Sequence, residues 1–425
     1  MPTRRKVAAT LSSRPPLDPE VLKGLPGDVV RSCAGETEAD PAAVLAAYRN
    51  ETGNLIGYGP YLRIARYRYP PLFHDVISGP QDEGRKSTGV EEVEEITRLV
   101  DPGWFAAVEP GLESHVALVE AAAEAPGHRL LLRMDEFATM LDLMLRQGRV
   151  GPLMREAFGK TSLSTRRSGR ALRVEGAHLS VLGSITDEEF RSKIRQEDLT
   201  NGQFSRWTCY WSERNGRVPF PPPRVKGELQ KLADRTADVI EFAQDLAFQR
   251  AGIGPVERLL YRHTGLVPPG GLLAGATHTD AFEKFWRDGY GEGHNPGKFP
   301  NLPRAATHIG RNTFWFQMMD FAAEADEIHG YRGWKLYENS VAATGQIFGS
   351  PTRNEYADRW VRAARQGKLK PWHTRTDIHH VLGNNLSKDE IDACIEAGLK
   401  SSYMVAREGQ GRIKQEFDLQ RGGLG

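Results

Sequence analysis

Between Gly79 and Thr88 the chain reads Gly-Pro-Gln-Asp-Glu-Gly-Arg-Lys-Ser-Thr, a set of residue types able to wrap an anion. Glycines let backbone amides converge on a phosphate, a lysine reaches its outer oxygens, and a hydroxyl at a helix start serves magnesium. Gly79, Gly84, Arg85, Lys86, Ser87 and Thr88 supply those types here. The spacing is one residue longer than the usual GxxxxGK[ST] form, because Arg85 stands between Gly84 and Lys86. The same stretch also reads as a charged surface turn.

A second feature lies downstream. The apolar run RLLLRM ends in Asp135 and Glu136. Beside a phosphate cradle, one carboxylate of such a pair orders the magnesium shell and the next polarises an attacking water. A carboxyl pair after an apolar run is also a common structural feature, so the weight rests on the two occurring together, in this order, each at a strand end. Ser184 and Thr186 close the run AHLSVLGSIT and suit a polar group between water and phosphate; they suit equally the capping of the helix that follows. Arg206, in NGQFSRW, has the character of an arginine finger, a side chain that neutralises charge on a transferring phosphoryl group from a neighbouring subunit.

These residues need a sheet to hold them. LFHDVIS, HRLLLRMDEF, AHLSVLGSIT and SRWTCYWSE are predicted strands, and STGVEEVEEITRLV a helix with Val90, Val93, Ile96 and Leu99 on one face. Strands alternating with helices predict an α/β fold with a mostly parallel sheet covered on both sides. DPAAVLAAYRNETGNLIG opens as a helix behind Asp-Pro. The proline run Pro219 to Pro223 predicts a domain boundary, followed by helices in ELQKLADRTADVIEFAQDLAFQRA, RNTFWFQMMDFAAEADEIHG and WKLYENSVAATGQIFG. The expected organisation is a disordered leader over 1–26, a core over 27–218, a helical second domain over 219–360 and a small tail domain over 361–425.

At 39% hydrophobic and 26% charged residues, the chain has a globular composition. Its 56 basic and 55 acidic side chains exclude a histone-like polycation, although a local basic stripe remains possible in such a balance. Three scattered cysteines, Cys33, Cys209 and Cys394, give neither a disulfide framework nor a zinc motif and fit a reducing cytoplasm. No stretch has the roughly 18 apolar residues of a membrane span.

These motifs carry a family resemblance. The chain resembles a P-loop NTPase family of phages, plasmids and actinobacterial mobile elements, helicase-like replication proteins associated with primases. The likeness runs through SGPQDEGRKST, LLLRMDEFATML, GPLMREAF, GAHLSVLGSITDEEF, NGQFSRW and LPRAATHIGRNTFWFQMMDFA to the tail from HTRTDIHHVL. It implies a RecA/AAA-like P-loop NTPase core, then a helical domain and a C-terminal winged helix. It implies ATP and Mg2+ as cofactors, DNA and a primase or other replication protein as partners, and a homo-oligomer, as large as a hexamer. By this resemblance Lys86 is the phosphate lysine, Ser87 or Thr88 with Asp135 the magnesium ligands, and Glu136 the residue that orients water. Ser184 is then the sensor, Arg206 the finger, and Arg304 and Arg311 sense the nucleotide. The sequence departs from its relatives at ESHVAL around His115 and at Ser184, where histidine is frequent. A nucleotide-binding scaffold, or a DNA-binding initiator with little turnover, is the alternative function.

In the tail, RTDIHHVL and SKDEIDACIEAGL read as helices and SYMVAREGQGRIKQEFDL as a hairpin, the winged-helix pattern. Residues 361 to 425 hold 11 basic and 8 acidic side chains, a small surplus for DNA readout. Arg375 there, and the run Arg166, Arg167, Arg170 and Arg173, are the candidate nucleic-acid contacts. His379 and His380 are adjacent on a helix and do not share a face, which makes them poor joint metal ligands. Phe314, Trp315 and Phe316, flanked by Met318 and Met319, read as core rather than as a base-stacking set; Phe321 belongs to the same group.

Overall fold

The most buried helix of the protein carries some of its most polar residues. The computed structural model describes residues 14–57, 59–81, 83–146, 148–159, 162–167, 170–194, 202–254, 275–291, 304–348, 354–365, 367–400, 404–409 and 415–419. After α1 (Gly24–Gly35), helix α2 (Pro41–Ile56) starts where the Asp40 carboxylate accepts from Ala42 N at 2.8 Å, and it stops at Gly57, whose φ of 83° no helix continues. Every residue of α2 from Ala42 to Ile56 is buried, including Arg49, Asn50, Glu51, Thr52 and Asn54.

A hairpin, β1 (Leu62–Ile64) and β2 (Tyr67–Tyr69), leads into β3 (His74–Gly79), and α3 (Lys86–Val100) follows at once. Two shorter helices, α4 (Pro102–Phe105) and α5 (His115–Glu124), precede β4 (Arg129–Met134), α6 (Phe137–Arg146) and α7 (Val150–Ala157). An antiparallel hairpin of β5 (Ser162–Arg167) and β6 (Arg170–Glu175) precedes β7 (His178–Thr186), α8 (Asp187–Lys193) and β8 (Thr208–Trp211).

Strands β4, β7, β3 and β8, in that order, form an all-parallel four-stranded sheet. Both faces are covered, which is why these strands are near-continuous apolar runs. On one face Ile77, Leu131, Leu182 and Tyr210 join the main core with Val44, Leu45 and Tyr48 of α2 and Val93 of α3. On the other, Phe137 of α6 lies so close that a Cβ at position 183 would sit 2.4 Å from its ring, a contact only glycine permits.

Helix α9 (Lys226–Arg250) follows the proline run, and further on come β9 (Thr277–His278), α10 (Asp280–Tyr290), α11 (Ala305–Met319), β10 (Glu324–Ala325) and α12 (Glu327–Phe348). Leu232 and Val239 of α9 and Phe314, Trp315 and Phe316 of α11 enter the same core as α2. Residues 14–347 therefore make one compact unit, and the proline run expected to open a second domain is a connection within it. The leader is also shorter than expected. Arg14 pairs with Asp40 at 3.1 Å, and the Pro15 and Pro16 carbonyls accept from Asn339 at 3.1 Å, so residues 14–26 are bound to the unit. Residues 1–13 of that leader lie outside the described residues. Phe314, Trp315 and Phe316 are core, as their spacing suggests, whereas Phe321 is exposed, with its ring 5.5 Å from that of Phe242.

The C-terminal unit, from Phe348, holds α13 (Glu355–Arg365), β11 (His373–Thr374), α14 (Arg375–Val381), α15 (Lys388–Lys400), β12 (Met404–Glu408) and β13 (Gln415–Leu419). Its strands form an antiparallel sheet ordered β11-β13-β12, and Trp360, Ile378, Cys394, Met404 and Phe417 make its core. Helix α13 and strand β11 add to the two helices and hairpin legible in the tail. Among the described residues, no helix is long and apolar enough to cross a membrane.

The polar side chains of α2 find partners on several other elements. Arg49 donates to Asp75 at 2.6 Å and to Asn312, and lies 4.2 Å from the Phe73 ring centre; Asn50 donates to Asp75 at 2.9 Å and Thr208 also donates to Asp75. Removing one partner of such a pair leaves an unanswered buried charge, at a cost of about 3–5 kcal/mol. Asp75→Ala is therefore expected to lower stability by that order in urea unfolding. The double variant Arg49→Met with Asp75→Leu should lose clearly less than the two single losses added.

Candidate functional site

All four parallel strands deliver their carboxyl ends to one edge of the sheet, and the loops there carry the candidate phosphate and acid residues. Register fixes their levels: Gly79 lies opposite Thr186, Ile77 opposite Ser184, and Met134 opposite Gly183. Strand β7 separates β3 from β4. The Lys86 loop and the Asp135–Glu136 turn thus leave the sheet two strand spacings apart, about 10 Å.

The loop is wound tightly. A Cβ at Gly79 would lie 2.1 Å from the Ser212 carbonyl oxygen, and one at Gly84 would lie 2.7 Å from that of Pro80, so both positions require glycine. The amide of Gly84 donates to Pro80 O at 3.0 Å, and Ser212 Oγ donates to the Gly84 carbonyl. The residue that lengthens the motif, Arg85, takes a left-handed φ of 44° and extends its side chain to Glu38, 2.7 Å away. The extra residue is absorbed in that one backbone position, and Lys86 still begins α3. Its ammonium donates to the carbonyls of Gly79 at 3.3 Å and Pro80 at 3.4 Å. The first amides of α3 have no intrahelical partner and share the helix's positive end. Ser87 in that turn is exposed and Thr88 half-buried.

Asp135 and Glu136 are exposed in the turn between β4 and α6. A residue that the motifs do not include ties them to the lysine's helix. Arg133, just before them on β4, reaches Glu51 of α2 at 3.5 Å and Glu94 of α3 at 3.2 Å. Glu51 in turn accepts from Thr97 of α3 at 2.6 Å. The link escapes motif reading because its members lie on three separate elements.

Ser184 is buried in β7, and Thr186 caps α8 by accepting from Glu189 N at 3.3 Å, the structural alternative foreseen for a hydroxyl there. Arg206 is elsewhere. It precedes β8 and so belongs to the amino-terminal edge of the sheet, opposite the Lys86 loop. Its guanidinium donates to the Gly202 carbonyl, while its buried Nε has no hydrogen-bond partner among the described residues. Burial, with the neighbouring charges of Arg304 and Arg155, pulls its pKa down to about 10. Arg155, at the end of α7, donates to Gln203 at 3.1 Å. Arg304, with a left-handed φ of 66°, caps α11 one turn ahead of His308, whose ring bonds Ser205 O at 2.9 Å. Sequence spacing did not single out Arg155, since the fold alone brings α7 to the 202–206 turn.

Arg311, expected beside a nucleotide, is instead a core residue. It donates to Leu72 O at 2.7 Å and to Phe158 O, with its guanidinium carbon 3.9 Å from the Phe158 ring centre. Of the candidate nucleic-acid contacts, Arg166 is exposed on the β5–β6 hairpin, while Arg173 pairs with Glu175 and Arg375 pairs with Asp392. Arg167 and Arg170 face each other in register, and their side chains lie outside the described residues. His379 donates to Leu386 O at 3.0 Å, and His380 meets Asn384 at 3.1 Å, so the two imidazoles serve separate local bonds.

Neither a protein-family model nor a curated protein matches the chain.

Burial, against the lowering effect of Arg133 and Thr97, pushes the Glu51 carboxyl up to about 7. A raised acid pKa means that the native state keeps its proton where the unfolded chain has lost it, so this group's contribution to stability falls as pH rises from about 4.5 to about 7. Glu51→Gln should remove that slope. Urea unfolding of both proteins at about pH 4.5 and about pH 7.5 is expected to show the variant gaining relative to wild type at the higher pH. Equal differences at both pH values would leave Glu51 without this role.

Proposed function

We propose that the chain is a magnesium-dependent ATPase with a RecA/AAA-like core, acting as a helicase-like or translocase-like DNA replication protein of a mobile genetic element. The observation that carries the reading is the strand order. It sets a glycine-bounded loop, a lysine and a helix start on one strand, and an exposed acid pair two strands away at the same edge. The interval of about 10 Å has room for a terminal phosphate and an attacking water between lysine and glutamate.

The residues suit the ligands. Tightly approached glycines and the α3 amides suit a polyanion, with Lys86 able to exchange its neutral carbonyl partners for phosphate oxygens. Ser87, Thr88 and Asp135 would hold magnesium, an ion that is bound by one or two carboxylates together with substrate phosphates and water. Bound magnesium supplies charge neutralisation between the outer phosphates. Glu136 orients the water and accepts its proton, Lys86 holds the phosphate it attacks, and Ser184 is the polar group on the intervening strand.

Arg206 lies at the opposite edge, so it serves the phosphate on a neighbouring copy, with Arg304 beside it. On this reading the protein works as a homo-oligomer, such as a hexameric ring, with the finger acting in trans. The C-terminal unit, with its helix-strand-helix-helix-strand-strand order, reads as a winged helix that contacts DNA or a replication partner such as a primase.

Phosphate release from ATP tests the reading. Lys86→Ala should lose both nucleotide binding and turnover, whereas Glu136→Gln should keep binding and lose turnover about 10²- to 10⁴-fold. Mixing Lys86→Ala with Arg206→Ala protein should restore part of the activity, because mixed interfaces pair an intact loop with an intact finger. Unchanged turnover in Glu136→Gln overturns the mechanism.

A further inference from the structure

The β1–β2 hairpin holds an electrostatic conflict that the fold leaves open. Arg63 and Arg68 are directly opposite across the two strands, and both are exposed. Like charges in that relation destabilise a strand pair. Arg66 adds a third guanidinium at the turn, where Ala65 holds a left-handed φ of 51°, a conformation usual for glycine or asparagine. Among the described residues none of the three arginines has a carboxylate partner. Arg63 donates to Ala65 O at 3.2 Å, Arg66 donates to the Tyr67 hydroxyl at 3.1 Å, and Arg68 lies 5.3 Å from the Tyr61 ring centre. Tyr67 at the tip is 55% exposed, and the Arg66 guanidinium carbon is 5.2 Å from its ring centre.

The opposite face of the hairpin is fastened to the unit. Leu62, Ile64 and Tyr69 are buried there, Tyr67 leaves the same side at the exposed tip, paired with Ile64, and Arg63 N donates to Ala276 O at 3.0 Å. The cations thus stand on a braced support.

We propose that this hairpin is a binding site for single-stranded nucleic acid, with Arg63, Arg66 and Arg68 on successive phosphates and Tyr67 stacked against an unpaired base. Guanidinium forks match phosphate oxygens in pairs, and phosphates seated on Arg63 and Arg68 offset the repulsion between the two cations. An exposed ring beside a guanidinium offers a stacking surface that any base can use, and only an unpaired base can reach it. An acidic protein surface answers the charges but leaves Tyr67 without a purpose. The other basic candidates are partly neutralised within the fold, since Arg173 and Arg375 already have carboxylates. The proposal is independent of the ATPase reading, and its test uses no ATP.

The experiment is fluorescence anisotropy of a labelled oligothymidine with the full chain at several salt concentrations. Wild type should bind, with affinity falling as salt rises. The variant Arg63→Gln, Arg66→Gln and Arg68→Gln should lose about ten-fold or more in affinity, and the slope of log affinity against log salt should shrink by about 2. Tyr67→Ala should weaken binding about five- to hundred-fold, with Tyr67→Phe close to wild type. Far-ultraviolet circular dichroism melts check that these exposed substitutions leave the fold intact. No binding by wild type, or affinity unchanged in the triple variant, overturns the proposal. So does equal sensitivity of heparin binding to Tyr67→Ala, which would mark the ring as a support for any polyanion.

Discussion

A guanidinium without access to water must have its charge answered from within the protein, and in this fold that condition falls on Arg49. Its partners come from β3, through Asp75, and from α11, through Asn312, while Thr208 of β8 shares the same carboxylate. One side chain thereby specifies how α2, two neighbouring strands and a helix more than 250 residues away meet. Apolar packing alone tolerates small slips of one element on another, whereas a buried charge with several directional partners does not. The price in stability of burying the pair is set against a uniquely placed β3, and Gly79 is four residues beyond Asp75 along that strand.

Much of this architecture was legible in the sequence. The four core strands are apolar runs of strand length, and α2 and α3 announce themselves by Asp-Pro capping and by apolar spacing. Their order in the sheet depends on pairing between segments far apart in the chain, which no local pattern encodes. The proline run misled because Pro219 to Pro223 marks an extended connection as readily as a domain boundary, and only the packing of Leu232 and Val239 beside α2 distinguishes the two. Arg311 misled for a similar reason. An arginine at a helix start looks available on paper, yet its guanidinium is used up by the carbonyls of Leu72 and Phe158.

The candidate site was legible in its residue types and not in its geometry. Gly79, Lys86 and the acid pair do share one sheet edge, and the unusual spacing of the loop is resolved locally by the left-handed Arg85 held at Glu38. Arg206 and Arg304, which motif order places in the same series, gather at the other edge with Arg155. In a parallel sheet, a residue just before a strand and a residue just after a neighbouring strand lie a full strand length apart. Chemistry that needs both must bring them together by adding a second copy of the chain, not by a side-chain movement.

The near-zero net charge conceals how differently the arginines are used. Arg49 and Arg332 are buried against Asp75 and Asp320, and Arg375 and Arg407 are spent on surface carboxylates. Among the described residues, Arg63, Arg66 and Arg68 on the hairpin, and Arg155, Arg206 and Arg304 at the amino-terminal edge of the sheet, form two groups without a carboxylate partner. A fold with as many acids as bases had partners to offer these positions. Two clusters without a carboxylate among the described residues, one on a braced hairpin and one around Arg206, are the arrangement that the proposed contacts with outside anions require.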